Sequence, residues 1–200
     1  MTSGRDLKES KKHTTEEDKS RYMSLAIDSA HAFSTLPMPT IASINGPCFG
    51  WGLEAALSCD MRFATPEATL CFPETRLGIF PGAGGVPRMA KLVNPATAME
   101  LIVSARVFSG EEASMLGVVS RAVPASELMT EVCDLAATIA KNAPLGVRAA
   151  KRVLHASVDL PLEQALEYSG QERYPLNDTE DFAEGLAAFA DKRAPSFEGR

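Results

Sequence analysis

The pattern of apolar and polar residues changes character near residue 125 of this 200-residue chain. Before that point, short apolar runs of strand length alternate with glycine or proline turns and with short helical patterns. From Ser126 onward, apolar residues recur at helical spacing in the segments 126–142, 144–157, 161–171 and 178–192. We therefore predict an α/β part over residues 1–125 and an all-helical section over residues 126–200.

The α/β part is predicted to contain an amphipathic helix followed by several short strands. Thr14 and Thr15 offer a hydroxyl cap, acidic residues fill the first turn, and apolar residues follow at helical spacing as far as Leu36. Apolar runs predict strands at 40–44, 61–64, 69–72 and 118–123. Because a helical stretch separates the first two of these strands, we expect partly parallel pairing.

A glycine-flanked turn lies between the strand at 40–44 and the next helix. Asn45-Gly46-Pro47 ends the strand, and Gly50-Trp51-Gly52 leads into a helix-forming run. The first N–H groups of a helix lack intrahelical acceptors and lie at the positive end of its dipole. We therefore expect this turn to hold an anion or a developing oxyanion.

Two glutamates flank this region in the sequence. Glu54 lies in the first turns of the predicted helix, and Glu74 precedes a second glycine cluster at 82–85. Each has an ordinary structural interpretation, because an acid near a helix N-terminus interacts with the dipole and Pro73-Glu74 can open a surface loop. Neither glutamate alone indicates a function.

Together, these residues form a pattern of fixed spacings that resembles the enoyl-CoA hydratase/isomerase family, the crotonases. The pattern comprises Gly50-x-Gly52-x-Glu54, Cys59-Asp60, and Pro73-Glu74-x-x-x-Gly78-x-x-Pro81-Gly82-x-Gly84-Gly85. Residues 3–9 resemble the family's first oxyanion loop, and residues 184–193 resemble its C-terminal signature. The resemblance covers nearly the whole chain. It implies a crotonase-like ββα spiral core over residues 1–125 and a helical trimerisation section over residues 126–200.

The resemblance also implies a role for each matching residue. The backbone N–H groups of Arg5 and Trp51 would form the oxyanion hole, Glu54 would activate a water, and Glu74 would exchange the α-proton. Contacts to the substrate and its coenzyme A (CoA) are expected from Ser3, Arg5, Asp6, Leu7, Lys8, Gly50, Phe189 and Lys192. Lys8 has a second interpretation as part of a solvated loop, and Phe189 has one as ordinary helix packing.

Arg5 and Trp51 depart from the alanine and glycine that the family commonly has at these positions. Both residues keep the backbone N–H, since only proline lacks one. The indole of Trp51 must either point away from the thioester or shape the acyl pocket. We expect it to narrow that pocket.

The function that the resemblance implies is hydration of 2-enoyl-CoA thioesters to 3-hydroxyacyl-CoA. Two close carboxyl groups suit this reaction, because one must be ionised and one protonated and their proximity drives their pKa values apart. The alternatives are enoyl-CoA isomerisation, other enolate chemistry, and a catalytically idle CoA-binding or structural subunit. Segments 104–107 and 192–195 are similar to methylglutaconyl-CoA hydratases. The resemblance also implies a homotrimer or a dimer of trimers.

Composition narrows the classes of partner and compartment. A formal net charge of −6 argues against general nucleic-acid binding. Cys48, Cys59, Cys71 and Cys133 show no C-x-x-C spacing and no neighbouring histidine cluster, and three of them lie in apolar strand or helix contexts, so we expect buried free thiols in a reducing compartment. Neither a metal nor a separate cofactor is expected, and no apolar run reaches the length of a membrane span. An intracellular site, mitochondrial or cytoplasmic, is expected.

The start of the chain differs from the start that is typical of the crotonases. Strands and a helix normally precede the first oxyanion loop, whereas here the loop follows directly after Met1. We expect that at least one βαβ unit of about 30 residues is missing, through either truncation or a shortened subunit.

Overall fold

The computed structural model describes Gly4, Lys8 and residues 14–200. The helices within 14–200 are α1 (Glu16–Thr35), α2 (Trp51–Ser58), α3 (Gly85–Leu92), α4 (Pro95–Val103), α5 (Gly110–Met115), α6 (Leu128–Ala140), α7 (Pro144–Ser157), α8 (Leu162–Arg173) and α9 (Glu180–Ala190). The strands are β1 (Ile41–Ile44), β2 (Cys48–Phe49), β3 (Met61–Ala64), β4 (Thr69–Cys71), β5 (Phe108–Ser109) and β6 (Arg121–Ala122). Short 3-10 helices span Pro73–Leu77 and Tyr174–Asp178. The predicted α/β part followed by a helical section is confirmed.

The strands form two three-stranded sheets, and the chain passes back and forth between them. One sheet has the order β1-β3-β6 with parallel pairing throughout. The other has the order β2-β4-β5, with β2 and β4 parallel and β4 and β5 antiparallel. The predicted parallel pairing of the strands at 40–44 and 61–64, which are β1 and β3, is therefore confirmed. The second sheet was not predicted, because β2 and β5 have only two residues each.

The strand predicted at 118–123 is shorter than expected, since only Arg121 and Ala122 pair with β3. The N–H groups of Val118 and Val119 both donate to the carbonyl of Ala113, at 2.8 and 3.1 Å. Their backbone therefore closes the end of α5 instead of extending the sheet. Both valines are nevertheless buried in the core.

Helix α1 begins and ends where the sequence predicts. The side chain of Thr15 accepts a hydrogen bond from the N–H of Asp18, and Leu36 follows the last helical residue. Only Ala26 and Ala30 of its apolar stripe are buried. The larger members Met23, Ile27 and Phe33 stay partly exposed within this chain.

The described residues form two compact units. The first comprises the residues up to Leu36 together with Thr40–Val132, and the second comprises Pro37–Pro39 and Cys133–Arg200. The core of the first unit is apolar and lies between the sheets and helices α2 to α5. It includes the fully buried Phe72 and Phe108.

The second unit is built from helices. The buried Lys151 on α7 donates to the carbonyl of Met38 at 3.0 Å, which ties the short 37–39 segment to this unit. The carboxylate of Asp181 on α9 accepts from the N–H groups of Glu198 and Gly199, at 2.7 and 2.9 Å. These hydrogen bonds hold residues 37–39 and the C-terminal residues against helices of the second unit.

Candidate active site

Parallel pairing of β2 with β4 brings the start of α2 next to Glu74. Phe49 lies opposite Cys71, and the N–H of Gly50 donates to the carbonyl of Cys71 at 3.0 Å. The chain continues from Cys71 into the 3-10 helix that begins at Pro73. The strand ends therefore place residues 50 and 74 side by side, although they are far apart in sequence.

Gly50 is required at this junction for two separate reasons. Its φ of 53° and ψ of −126° are strained for a residue with a side chain. In addition, a Cβ at this position would lie 2.7 Å from Oε1 of Glu74. The glycine therefore gives α2 its starting geometry and lets Glu74 approach the backbone closely.

Glu54 is one turn into α2, and its N–H donates to the carbonyl of Gly50 at 3.0 Å. The residue is only 3 % exposed. Its Oε1 accepts from the N–H of Ala83 at 2.7 Å and from the N–H of Gly85 at 2.9 Å. The carboxylate therefore binds a turn about 30 residues away, which an interaction with the helix dipole alone does not explain.

The second glycine cluster is shaped to receive this carboxylate. Gly84 has a left-handed φ of 103°, and successive N–H groups in such a turn form a concave anion site. A Cβ on Gly85 would lie 3.0 Å from Cγ of Glu54 and 2.9 Å from the ring of Phe72. The pairing of Glu54 with residues 83 and 85 was not predicted, because no local pattern specifies it.

Glu74 occupies a contrasting environment in the 3-10 helix Pro73–Leu77. Its Oε2 is buried and accepts no hydrogen bond from the described residues. Burial raises the pKa of Glu74 to about 7, a bond from its own backbone N–H opposes the increase, and the nearby charge of Glu54 adds to it. A carboxyl group with this pKa is present in both protonation states near neutral pH.

The indole of Trp51 points toward α1. Its Nε1 donates to the carbonyl of Ala26 at 3.0 Å, and the ring packs against Ala26, Ala30 and Ala83. As the first residue of α2, Trp51 has a backbone N–H without an intrahelical acceptor. The side chain is thus anchored to α1, while the N–H stays at the helix N-terminus.

A cavity of about 250 Å³ lies beside this indole. It is lined by Gly4, Tyr22, Leu25, Ala26, Ser29 and Trp51. Gly4 is also close to the end of β2, because a Cβ on it would lie 3.0 Å from the carbonyl oxygen of Phe49. The residue before Arg5 therefore borders both the cavity and the start of α2.

The remaining predicted site residues are distributed as follows. Ser3, Arg5, Asp6 and Leu7 lie outside the described residues, and Lys8 is helical and exposed. Phe189 and Lys192 belong to the second unit, at the end of α9. Phe189 is 87 % exposed, so its ring is not used for packing within this chain. Its proposed role in binding CoA stays a prediction.

Sequence reasoning overlooked Arg88, which lies one turn beyond Gly84 on α3. Its Nη1 donates to the carbonyl of Ala83 at 3.3 Å, and its Nη2 lies 3.3 Å from Nδ1 of His31. Burial lowers the pKa of Arg88, and the charge of Glu54 opposes that lowering. An arginine immediately after a glycine cluster at a helix start was the available signal.

Two further features of the described residues bear on the kind of site. They contain no group of three or more His, Cys, Asp or Glu side chains arranged to hold a metal ion. Among the same residues, no helix has the length and apolar character needed to cross a membrane. Cys48 and Cys71 are buried free thiols, Cys59 is half-buried, and Cys133 is exposed.

Comparison with known proteins reveals extensive similarity. The model of the family described as enoyl-CoA hydratase/isomerase matches residues 1–200. A carnitinyl-CoA dehydratase of Salmonella typhi is 41 % identical over 169 residues, which cover 82 % of this chain and 65 % of that protein. The chain thus spans less than two thirds of the length of such curated relatives.

Solved structures show the same fold. An enoyl-CoA hydratase from Bacillus anthracis superposes with a TM-score of 0.92 at 36 % identity, covering 98 % of this chain and 76 % of the other. An enoyl-CoA hydratase from Mycobacterium smegmatis superposes with a TM-score of 0.89 at 26 % identity, covering 97 % and 75 %. The finer similarity to methylglutaconyl-CoA hydratases stays a prediction.

Proposed function

The chain belongs to the enoyl-CoA hydratase/isomerase family and has its crotonase-like fold, and from that premise we propose that it hydrates 2-enoyl-CoA thioesters to 3-hydroxyacyl-CoA. The observation that carries this proposal is the meeting of two carboxyl groups in unlike environments at the start of α2. Glu54 accepts two backbone N–H bonds, whereas Glu74 has a buried oxygen that accepts no hydrogen bond from the part of the chain that the structure describes. Such a pair supplies one base and one acid.

The two environments divide the proton transfers between the glutamates. The N–H groups of Ala83 and Gly85 stabilise an ionised Glu54, because donors to a carboxylate favour its charged form. Glu54 therefore takes a proton from the water that attacks the β-carbon. Glu74, whose pKa is raised to about 7, gives its proton to the α-carbon. The water adds as hydroxyl and hydrogen, and the pair holds one proton before and after the step.

Charge that develops on the thioester oxygen needs donors near the same helix start. The backbone N–H of Trp51, at the N-terminus of α2, supports its proposed role as one of them. The second donor is expected from Arg5, and Gly4 immediately before it borders the start of α2. The cavity along Tyr22, Leu25 and Trp51 is the proposed acyl site.

A second candidate is the reverse reaction, dehydration of a 3-hydroxyacyl-CoA that carries a quaternary ammonium group. The relatives named carnitinyl-CoA dehydratase favour it. Elimination of water uses the same two carboxyl groups in the opposite order. The aromatic side chains of Tyr22 and Trp51 line the cavity, and aromatic faces attract quaternary ammonium groups.

We also propose that residues 126–200 form an interface between subunits and that Phe189 and Lys192 contact CoA. Large apolar side chains of the second unit stay exposed within this chain, among them Leu154, Leu162 and Phe189. Analytical ultracentrifugation of the full chain is expected to show a trimer or a dimer of trimers. A monomer at micromolar concentration would contradict the interface.

Product identification tests the proposed function. The full chain is incubated separately with crotonyl-CoA, a 3-enoyl-CoA and carnitinyl-CoA, and the products are identified by chromatography and mass. Hydration of crotonyl-CoA supports the proposal, and preferential dehydration of carnitinyl-CoA supports the second candidate. Conversion of the 3-enoyl-CoA alone would indicate an isomerase. A folded protein that binds CoA but converts none of the three would be an idle subunit.

A further inference from the structure

Three consecutive peptide groups in the second glycine cluster, residues 82–85, are hydrogen-bonded by two side chains of opposite charge. Glu54 Oε1 accepts the N–H groups of Ala83 and Gly85, which belong to the first and third of these peptides. The carbonyl of Ala83 belongs to the middle peptide, and it accepts from Nη1 of Arg88 at 3.3 Å. The turn is therefore fixed by a carboxylate on one side and by a guanidinium on the other.

The guanidinium lies directly against the turn. A Cβ on Gly84 would overlap Nη1 of Arg88, so only glycine lets the guanidinium approach this closely. The left-handed φ of 103° at Gly84 aims the N–H groups before and after it toward one oxygen. The close approach and the backbone conformation thus depend on the same glycine.

Arg88 is also electrostatically coupled to Glu54. The guanidinium is partly removed from solvent, and the favourable charge of Glu54 partly offsets the resulting decrease in the pKa of Arg88. Titratable groups that interact with the pair within the described residues include His31 on α1, which contacts Nη2, and Glu74, which interacts with Glu54. Opposite charges in a partly desolvated site attract more strongly than at the surface.

We propose that Arg88 is a positioning residue for Glu54. By holding the Ala83 carbonyl it aims the N–H groups of residues 83 and 85 at the carboxylate, and its charge favours the ionised form of Glu54. The inference rests on the proposed function, in which Glu54 is the base. Arg88 itself takes no proton and touches no reacting atom.

The test compares three variants of the full chain. Arg88→Met removes the charge and the donors, Arg88→Lys keeps the charge with a single donor group, and His31→Gln is the control that alters the other contact of the guanidinium. All three are made in the wild-type and the Glu74→Gln backgrounds, because the latter removes the coupled titration of Glu74. The free energy of unfolding is measured for each, and only folded protein is compared.

The first readout is the pH titration of the Glu54 carboxyl group, which is monitored by carbon-13 NMR of the glutamate carboxyl groups. The signal of Glu54 is identified by its absence in Glu54→Gln. Loss of a nearby opposite charge is expected to raise the titration midpoint of Glu54 by about one unit or more in Arg88→Met. Arg88→Lys should shift it less, and His31→Gln should leave it close to the parent. An unchanged midpoint in Arg88→Met would overturn the proposal. If Arg88→Met does not fold, a midpoint and a kcat both unchanged in Arg88→Lys would overturn it.

The second readout is turnover of the substrate identified in the previous subsection. Arg88→Met should lower kcat about 10- to 100-fold with KM changed less than about 3-fold, because misplacing a catalytic group affects the chemical step. An equal effect of His31→Gln would overturn the proposal. The NMR titration needs no turnover. Failure of the wild type to convert any thioester would therefore reject the proposed function, while the coupling of Arg88 to Glu54 would still be measured.

Discussion

The surroundings of Glu54 and Glu74 show how one kind of side chain can acquire two different properties. Glu54 lies on a regular helix, is 3 % exposed, and has two backbone donors on one oxygen. Glu74 lies in a short 3-10 helix, and one of its oxygens is buried without a donor among Gly4, Lys8 and residues 14–200. Burial raises the pKa of Glu74, whereas the two backbone donors on the more deeply buried Glu54 stabilise its charged form, and this contrast distinguishes the proposed base from the proposed acid.

Gly50 belongs to both environments. Its carbonyl accepts from the N–H of Glu54, and its α-carbon faces Oε1 of Glu74 without an intervening side chain. A conformation strained for other residues at one glycine therefore brings Glu74 close to the start of the helix that carries Glu54, and the charges of the two glutamates interact. The predictions below perturb the two environments separately and then together.

The largest effect is expected from the glutamates themselves. Glu54→Gln and Glu74→Gln should each lower kcat by about 10²–10⁴, the range for loss of a general acid or base. The double substitution should cost less than the product of the two, because both groups act on one step. Glu67→Gln, at an exposed position, is the matched control for amide substitution.

Deuterium exchange separates the two roles. Glu74→Gln should suppress exchange of the α-hydrogens of a saturated acyl-CoA with solvent deuterium. Glu54→Gln should affect that exchange less, because no water attacks in it. Hydration near the wild-type rate in either variant would exclude the two-carboxylate mechanism and favour one-glutamate isomerase chemistry.

Gly50→Ala should disturb both environments at once. The added Cβ would meet Glu74 Oε1 at 2.7 Å, and the backbone conformation would be strained by about 1–3 kcal/mol. We expect kcat to fall about 100-fold, since small displacements of catalytic groups have effects of that size. Gly46→Ala is the control, because the φ of Gly46 is not positive and, apart from its two chain neighbours, no atom of the described residues lies within 4 Å of the added Cβ. Equal activity of the two variants would show that the junction at Gly50 has no role in placing Glu74.

The pH dependence of kcat/KM should report the single proton that the carboxyl groups of Glu54 and Glu74 hold between them. Hydration needs Glu54 ionised and Glu74 protonated, so activity should fall as pH rises through about 7, where Glu74 loses its proton. The slope should approach tenfold per pH unit above that value. Hydration and dehydration should give the same bell-shaped profile, because both start from a pair with one proton. A profile that stays flat from pH 6 to 9 would contradict a protonated Glu74.

The same raised pKa predicts how stability depends on pH. The unfolded carboxyl loses its proton near 4.5, whereas the folded one keeps it to about 7, so the folded state binds more protons in that window. The free energy of unfolding should therefore decrease as pH rises from 4.5 to 7 and level off above 7. Glu74→Gln should remove this decrease. The full pKa difference corresponds to about 3 kcal/mol, and we expect on the order of 1–2 kcal/mol by urea unfolding, because solvent screens a carboxyl group that is only partly buried. A decrease of the same size in the variant would assign the effect to another group.

The smallest effect is expected at Trp51. Trp51→Phe removes the bond from Nε1 to the Ala26 carbonyl and should lower the free energy of unfolding by about 0.5–1.5 kcal/mol. Trp51→Gly should increase activity toward longer acyl chains several-fold and change short-chain turnover little, because the cavity beside the indole becomes wider. If Trp51→Gly raised turnover equally at every chain length, the indole would be an obstruction instead of a wall of the acyl site.

The sequence by itself determined the helices, most of the strands and the family. Thr15 caps α1, Asn94 and Ser109 cap α4 and α5, and proline begins α4 and α7, all through contacts within a few residues. Such signals can be read locally because donor and acceptor are three or four positions apart. The spacing pattern from Gly50 to Gly85 identified the crotonase family in the same way.

Only the tertiary structure decided the sheet membership and the partners of the glutamates. Strands β2 and β5 are too short to leave a pattern, and their pairing with β4 joins residues more than 20 positions apart. Glu54 meets residues 83 and 85, Arg88 holds the same turn, and Trp51 is anchored on α1. These contacts depend on how separate elements pack, and no short-range propensity of the chain encodes that packing.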